Sequence, residues 1–173
     1  MEKKDRMELF YHVYPDKRII KALDEMHYFE APASTKYHGS YEGGLFDHSY
    51  QMAICLNSLT VRLCLEWENK LSPAKIGLFH DLCKCDCYVK NEDGTFSFND
   101  KLALNGHGDK SVILAQSLSK DLLTMEEILC IRWHMGAFDD KSNWNCYTQA
   151  IKECSNVLWT HTADMMATHI MQV

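Results

Sequence analysis

The segment Ile76-Gly77-Leu78-Phe79-His80-Asp81-Leu82-Cys83-Lys84 has the apolar pattern of a buried helix, interrupted by one adjacent pair of polar side chains. Ser72-Pro73 precedes it as a helix start, with serine as N-cap and proline at the first helical position. A helix that is apolar on every face is normally buried, and burying an unpaired carboxylate is costly. We therefore expect His80 and Asp81 to form a metal or catalytic site rather than a satisfied core pair, with Lys84 on a neighbouring face of the same helix.

The composition is that of a globular protein. The chain has 173 residues, of which 46% are hydrophobic and 11% aromatic, and this predicts one domain over residues 1–173 with its core in 16–170. The net charge of −6, without a long basic run, disfavours a dedicated nucleic-acid partner. No secretory signal and no membrane-spanning apolar run is visible, so we expect a cytoplasmic protein with no membrane partner. The sequence does not predict the oligomeric state.

The eight cysteines are expected to be reduced in that compartment. Cys83, Cys85 and Cys87 form a C-x-C-x-C run that would allow a thiolate zinc site. No second cysteine pair follows at the spacing of a zinc ribbon, so we treat this site only as an alternative.

The spacing of apolar residues predicts an all-α bundle of about six helices. The predicted helices run from about Asp16 to Glu30, from Phe46 to Glu68, from Ser72 through Lys84, from Asp109 through Leu118, from Thr124 to about Arg132, and from Tyr147 to Ile170. Asp109 is a candidate cap, and Thr124 with Glu127 forms a capping box. The only strand signal predicts a small β-hairpin near residues 87–98, closed by Asp93-Gly94.

Six histidine and aspartate side chains lie on five of these segments or at their ends. They are His48, His80, Asp81, His107, His134 and Asp164. Imidazole and carboxylate ligands without a thiolate suit Mn, Fe, Ni, Co, Zn or Mg and do not select among them. A second ion would use Asp81 as a bridge together with His107 and His134, and two bridged ions can clamp a phosphoryl displacement.

The pattern H…HD…H…H…D, with Lys84 in His80-Asp81-x-x-Lys84, resembles the HD-domain superfamily of metal-dependent phosphohydrolases. The resemblance implies an HD-type helical domain with one or two divalent ions. It places the first ion on His48, His80, Asp81 and Asp164, and the second on Asp81, His107 and His134. It also places Lys84 beside the substrate phosphate or the attacking water.

Within that superfamily, the chain is most similar to the HD domain of bacterial 3′-to-5′ exoribonucleases. The shared features are the glycine-rich run Gly43–His48, the pair Gly106-His107 and the His-x-x-Asp motif of residues 161–164. The chain departs from that subgroup at residues 133–136, which read Trp-His-Met-Gly where His-His-Gly is usual. It also has Cys83 where many members have glycine, and no separate OB-type nucleic-acid domain.

We therefore expect a metal-dependent phosphohydrolase that cleaves a phosphate monoester or diester of a nucleotide or another small phosphorylated metabolite. A metal-bound hydroxide would attack phosphorus, with Lys84 and Asp81 as catalytic residues and Asp81 acting mainly as a ligand. Four further residues are candidate substrate contacts: Arg132 and Lys110 as phosphate-binding cations, His38 at the pocket mouth, and His161 near the metal ligands.

Two other functions are compatible with the same residues. The first is a 3′-5′ exonuclease on single-stranded RNA or DNA, which would need a positive groove leading to the metal ions. The second is an inactive HD fold that serves as a ligand-binding or partner-binding module. Binding of a transition metal by the purified protein would discriminate the active fold from the inactive one.

Overall fold

Eight α-helices and one antiparallel hairpin make up the computed structural model, which describes residues 1–173. The helices are α1 (Lys3–Val13), α2 (Lys17–Glu25), α3 (Gly44–Leu63), α4 (Ser72–Phe79), α5 (Gly108–Leu118), α6 (Met125–Arg132), α7 (Trp144–Glu153) and α8 (Asn156–Met165). The strands are β1 (Tyr88–Lys90) and β2 (Phe96–Phe98). The predicted all-α class with one small hairpin is confirmed, with two more helices than the six expected.

The first additional helix, α1, joins the core through one aromatic ring and one buried ion pair. Phe10 is fully buried and packs against Phe29 at a ring-centroid distance of 5.9 Å. Arg6 is also buried, and its guanidinium donates to both carboxylate oxygens of Asp47 at 2.9 and 3.0 Å. A bidentate pair of this kind is geometrically specific. It fastens α1 to the first turn of α3, one residue before His48.

Left-handed residues end two helices earlier than their apolar patterns predict. α2 begins after Asp16, whose carboxylate accepts from the main-chain N–H groups of Arg18 and Ile19. It ends at Glu25 rather than Glu30, and His27 beyond it has φ 61°. α3 ends at Leu63 because Cys64 takes φ 51°. Neither reversal uses a glycine, so no residue pattern marked these two helix ends.

α3 and α4 approach closely at Gly77. A Cβ atom on this residue would lie 2.4 Å from the Cα atom of Ala53, so only glycine permits the contact. α4 ends at Phe79, and residues 82–85 form a separate 3₁₀ turn. The prediction that Lys84 shares a helix with His80 was therefore wrong, although the turn still directs Lys84 toward Asp81.

Glu127 ties the beginnings of α4 and α6 together. The predicted capping box is present: Thr124 Oγ1 accepts from the Glu127 N–H at 3.3 Å, and the Glu127 carboxylate accepts from the Thr124 N–H at 2.9 Å. Ser72 does not cap α4 as predicted. Its hydroxyl donates to Glu127 Oε1 at 2.7 Å, and the ammonium of Lys75 lies 2.7 Å from Glu127 Oε2. This buried carboxylate is thus fully paired, as burial requires.

The predicted last helix is divided into α7 and α8. Cys154 is extended, with φ −141°, and breaks the helix. The amide of Asn156 then donates to the main-chain oxygen of Glu66 and to Glu126 Oε1, both at 2.8 Å. After α8, residues 166–170 form a π-helical turn. A side-chain amide that satisfies distant acceptors can stabilise such a break, and periodicity alone does not reveal it.

The hairpin and the start of α5 complete the surroundings of the site. Tyr88 pairs with Phe98 and Lys90 with Phe96, and Gly94 has φ 84° in the connecting turn. Asp109 does not cap α5 as predicted, since His107 occupies the N-cap position.

A single hydrophobic cluster of 26 buried residues extends from α1 to the π-helical turn. No helix is both long enough and apolar enough to cross a membrane.

Candidate metal centre

The ends of five helices place the six predicted ligand residues in one neighbourhood. His48 lies near the start of α3, and His80 and Asp81 directly follow α4. The other three lie at the start of α5, after α6 and near the end of α8: His107, His134 and Asp164. Three overlapping groups have ligand atoms within 4.8 Å of one another: His48, His80 and Asp81; His80, His134 and Asp164; and Asp81, Cys83 and His107.

Main-chain oxygens fix the orientation of three of these imidazoles. The Nδ1 atom of His48 lies 2.8 Å from the oxygen of Val173, that of His80 2.8 Å from Gly77 O, and that of His134 2.6 Å from Ile131 O. A main-chain oxygen only accepts hydrogen bonds, so each Nδ1 carries the proton. In the neutral form of each ring the Nε2 atom presents a lone pair, which is the tautomer that a metal-binding histidine needs.

The four residues expected to hold the first ion contribute two imidazole nitrogens and two carboxylate oxygens. They are His48, His80, Asp81 and Asp164. The Nε2 atom of His48 lies 3.2 Å from Asp164 Oδ1 and 3.7 Å from Asp81 Oδ2. The Nε2 atom of His80 lies 3.4 Å from the same oxygen of Asp81. All four residues are buried, and the His80 Nε2 atom also lies 3.8 Å from Asp164 Oδ1.

The second carboxylate oxygen of Asp81 faces the other two histidines. Asp81 Oδ1 lies 3.0 Å from His107 Nε2 and 3.5 Å from His134 Nε2. Despite this proximity, the buried atoms Asp81 Oδ1 and His134 Nε2 have no hydrogen-bond partner. Buried polar atoms are normally satisfied, so unpaired atoms that converge in this way indicate a ligand.

The charges of the site favour anionic carboxylates and a cationic lysine. Burial alone would raise the pKa of Asp81, but Lys84 and His80 outweigh it and hold this pKa well below its ordinary value. Burial also opposes the ionisation of Asp164, yet its neighbours His48, His80 and His134 lower its pKa. Burial alone would lower the pKa of Lys84, but Asp81, at 2.7 Å, raises it. These groups are therefore charged at neutral pH.

The donor set fits a divalent cation. Neutral imidazole nitrogens and carboxylate oxygens are ligands for first-row transition metals and for Mg. A cation would also satisfy the unpaired atoms of Asp81 and His134, which no protein donor reaches. The thiolate zinc alternative is less well supported. Of the three cysteines in the C-x-C-x-C run only Cys83 joins a ligand group, and burial raises its pKa to about 12.

A cavity of about 830 Å³ opens onto these ligands. It is lined by Tyr37, His38, His48, Asp81, Lys84, His107, Met135, Phe138, Asp164, Met165, Thr168, His169 and Gln172. Tyr37 and Phe138 are 81% and 67% exposed. His38 lies at the wall with its ring centroid 5.0 Å from that of His48. Burial, reinforced by His48 and Lys84, lowers the pKa of His38 to about 4, so its ring is neutral at pH 7.

Two predicted phosphate-binding cations do not reach this cavity. Lys110 is buried with its ammonium against Asp86, and it does not line the cavity. The guanidinium of Arg132 pairs with Asp109 and Asp139 and lines a smaller adjoining pocket of about 300 Å³. Both cations are neutralised by carboxylates that sequence spacing could not assign to them.

His161 contacts the main chain of His134 and does not line the cavity. Its Nδ1 atom lies 2.8 Å from the main-chain oxygen of His134. Gly136 packs directly on this ring, because a Cβ atom there would lie 2.6 Å from the His161 imidazole. The sequence left open whether His161 contacts substrate or lies behind the ligands, and this geometry agrees with the second position.

Several cavity residues were missed by sequence reasoning. Thr168, His169 and Gln172 line the cavity from the C-terminal segment, and residues 166–170 are π-helical. A π-helical turn changes which side chains share a face, so a 3.6-residue period does not predict them. Met135 and Met165 are direct neighbours of His134 and Asp164 in sequence, and this adjacency was the only available signal.

Comparison with known proteins gives one curated relative. The dihydroneopterin 2′,3′-cyclic phosphate phosphodiesterase of Methanocaldococcus jannaschii is 30% identical over 110 residues. The match covers 62% of this chain and 43% of the relative, so the chain spans less than half of that protein's length. No protein-family model matches the chain, and no solved structure matches it either.

Proposed function

We propose that the chain is a metal-dependent phosphohydrolase of the HD type, acting through one domain formed by residues 1–173. Its substrate would be a phosphodiester of a small metabolite that carries a planar heterocycle. The observation that carries this proposal is that imidazole nitrogens and carboxylate oxygens lie within 4.8 Å of one another in the protein interior. Two of these atoms, Asp81 Oδ1 and His134 Nε2, have no hydrogen-bond partner. The name of the archaeal relative, a cyclic-phosphate phosphodiesterase, supports the same reaction class.

Two sets of residues would hold the metal. His48, His80 and Asp164 would bind the first ion together with Asp81 Oδ2, whereas His107 and His134 would bind a second ion together with Asp81 Oδ1. When bound, such ions polarise a phosphoryl oxygen and lower the pKa of water. Mn, Fe, Ni, Co, Zn and Mg are all compatible with this donor set.

Lys84 would bind and orient the substrate phosphate. Its ammonium lies at the cavity wall, and its paired position next to Asp81 keeps it positively charged. A fixed positive charge in a water-poor site stabilises the negative charge that grows on the phosphoryl oxygens. Asp81 would remain a carboxylate throughout, because Lys84 and His80 oppose its protonation. His38, neutral at pH 7, could donate one hydrogen bond to a phosphate oxygen.

Phe138 and Tyr37 would hold the ring of the substrate. Both are largely exposed although they line the cavity of the metal centre. Exposed aromatic rings at the entrance to a polar site can stack on a planar heterocycle. Trp133 cannot do so, because it is buried and its ring lies 4.1 Å beneath the Arg132 guanidinium.

The two alternative functions have less support. An exonuclease would need unpaired cations along a groove, but Lys110 and Arg132 are paired with carboxylates and Lys90 contacts Glu42 at 2.6 Å. An inactive binding module would not need six converging ligands with three fixed tautomers. We therefore favour hydrolysis of a small phosphodiester.

The test combines metal analysis with hydrolysis of defined phosphates. We expect the protein purified without chelator to contain divalent transition metal and to hydrolyse a 2′,3′-cyclic nucleotide after addition of Mn²⁺. Asp81→Ala should lose both properties while the helical far-UV spectrum is kept. His12→Ala, which removes an exposed histidine of α1, is the matched control and should keep both.

Two outcomes would contradict the proposal. The first is a wild-type protein that takes up no divalent ion even when Mn²⁺ is added, which would favour the inactive module. The second is hydrolysis of single-stranded oligonucleotides in strong preference to mononucleotides, with a steep fall in rate as salt rises. That result would favour the exonuclease.

A further inference from the structure

His107 differs from the three histidines whose orientation is fixed by main-chain oxygens. Its Nδ1 atom faces the sulfur of Cys83 at 3.3 Å. Its side chain is 36% exposed, whereas those of His48, His80 and His134 are almost fully buried. The partner of His107 is therefore a thiol, which can donate or accept a hydrogen bond, where the other rings have a pure acceptor.

The main chain of Cys83 is held in place from two sides. The main-chain N–H of Cys83 donates to Ser111 Oγ at 3.1 Å, and the thiol of Cys87 donates to the main-chain oxygen of Cys83 at 2.8 Å. Cys83 is fully buried, so no water competes for its sulfur. The anchored main chain and the burial of the side chain keep the sulfur beside His107.

Two tautomers of His107 are compatible with a thiol partner. If the thiol donated to Nδ1, the imidazole proton would be on Nε2 and would be available to Asp81 Oδ1, which lies 3.0 Å away. A ring that binds a cation through Nε2 needs the lone pair on that atom. The proposed metal centre therefore selects the other tautomer, in which Nδ1 carries the proton.

We infer that Cys83 is a positioning residue for His107: its sulfur accepts the Nδ1 proton and leaves Nε2 as a lone pair beside Asp81. Cys83 thereby takes the part that Gly77 O and Ile131 O take for His80 and His134. Sulfur is a weaker acceptor than a carbonyl oxygen. The tautomer of His107 is consequently the least firmly fixed of the four, and the His107 side of the centre binds a cation more weakly than the His48 side.

This inference rests on the proposed metal centre, but its first test needs no metal. Long-range proton–nitrogen NMR of the histidine-labelled, chelated protein at about pH 8, where histidines are neutral, reports the tautomer of each ring. His107→Gln assigns the signals of His107. We expect the Nδ1–H tautomer for His107 in the wild type and a shift toward the Nε2–H tautomer in Cys83→Ala. Cys55→Ala, which removes another buried thiol, should leave the His107 signals unchanged.

The second test is a Mn²⁺ titration in which the spectrum of the ion reports how much of it is bound. Loss of a partner behind a metal-binding histidine weakens binding by about 10- to 100-fold. We expect Cys83→Ala to weaken the second binding phase by about tenfold or more and to leave the first phase unchanged. Cys83→Ser, which keeps a hydroxyl acceptor in place of sulfur, should lie between the wild type and the alanine variant.

Failure of the role inferred for Cys83 and failure of the proposed function would give different results. An Nε2–H tautomer for His107 in the wild type overturns the role of Cys83, whatever the metal titration shows. A thiolate-to-metal charge-transfer band on adding Co²⁺, lost in Cys83→Ala, would make Cys83 a ligand and would also overturn it. Absence of any metal binding, with the Nδ1–H tautomer present in the wild type and lost in Cys83→Ala, would instead sink the proposed function and leave the tautomer assignment standing.

Discussion

The Nε2 atoms of His48 and His80 lie 3.3 Å apart, although each ring has its Nδ1 atom beside a main-chain oxygen. Both Nδ1 atoms are therefore protonated, and the two Nε2 lone pairs face each other inside the protein. Such a contact is repulsive unless a proton or a cation lies between the nitrogens. This contact supports the proposed metal centre.

Metal removal should destabilise the protein for this reason. An ion present at about 100 times its dissociation constant stabilises the folded state by about 2.7 kcal/mol. For a chain of this length the corresponding rise in Tm is about 5–10 °C. We expect chelation to lower the Tm of the wild type by this amount, measured by far-UV circular dichroism. Asp81→Ala should show no response to chelator, and an equal response in that variant would place the bound metal elsewhere.

The sequence predicted which histidines and aspartates lie together better than it predicted the helices that carry them. His48, Asp81 and Asp164 stand out because polar side chains on apolar stripes are rare and need a physical reason. The break at Cys154 could not be predicted, because a long-range bond from the Asn156 amide to Glu66 accompanies it. α1 was missed because Arg6, buried in the structure, looks like a surface residue in the sequence.

The cations expected to bind phosphate were the residues that the sequence predicted least well. Spacing places Lys84, Lys110 and Arg132 near the candidate ligands without distinction, and only the fold shows that Lys84 alone of the three lines the cavity. Lys110 faces Asp86, and Arg132 lies between two carboxylates. These pairings depend on which helices become neighbours, so no local pattern encodes them.

Lys84→Ala should separate metal binding from turnover. The ammonium lies at the cavity wall and is not a metal ligand, so we expect metal content to be unchanged. The hydrolysis rate should fall by about 100-fold or more, as for the loss of one fixed charge stabiliser. Metal analysis and steady-state kinetics on a 2′,3′-cyclic nucleotide measure the two quantities. Lys101→Ala, at an exposed position after the hairpin, is the control. A rate within about threefold of the wild type would remove Lys84 from the mechanism.

Gly77→Ala tests how helix packing sets the metal centre. The new Cβ atom would lie 2.4 Å from Ala53 Cα, so α4 must move away from α3. Overpacking of this kind costs about 1–3 kcal/mol. Because α3 carries His48 and α4 leads into His80, the same movement should weaken metal binding. Urea unfolding and a Mn²⁺ titration measure both effects, and unchanged metal affinity in a destabilised variant would uncouple the packing from the site.

Asp139→Asn should destabilise the protein in a pH-dependent way. Burial alone would raise the pKa of Asp139, but hydrogen bonds from Asn143 and Arg132 outweigh it and lower this pKa. The carboxylate therefore contributes stability above its unfolded pKa, and this contribution is lost as pH falls through the lower folded value. We expect the variant to be less stable by about 1–2 kcal/mol near neutral pH. The difference should shrink below about pH 4, whereas Asp100→Asn, at an exposed site, should show no such trend.

Phe138→Ala should affect substrates according to whether they carry a ring. Phe138 is 67% exposed although it lines the cavity, so its ring is available for stacking. Stacking of one base on an aromatic side chain is worth about 1–3 kcal/mol. We expect KM for a 2′,3′-cyclic nucleotide to rise by about tenfold with little change in kcat, and kinetics on glycerol 1,2-cyclic phosphate, which lacks a ring, to be unchanged. Equal losses on both substrates would mean that Phe138 shapes the metal centre instead, and no loss on either would remove it from substrate recognition.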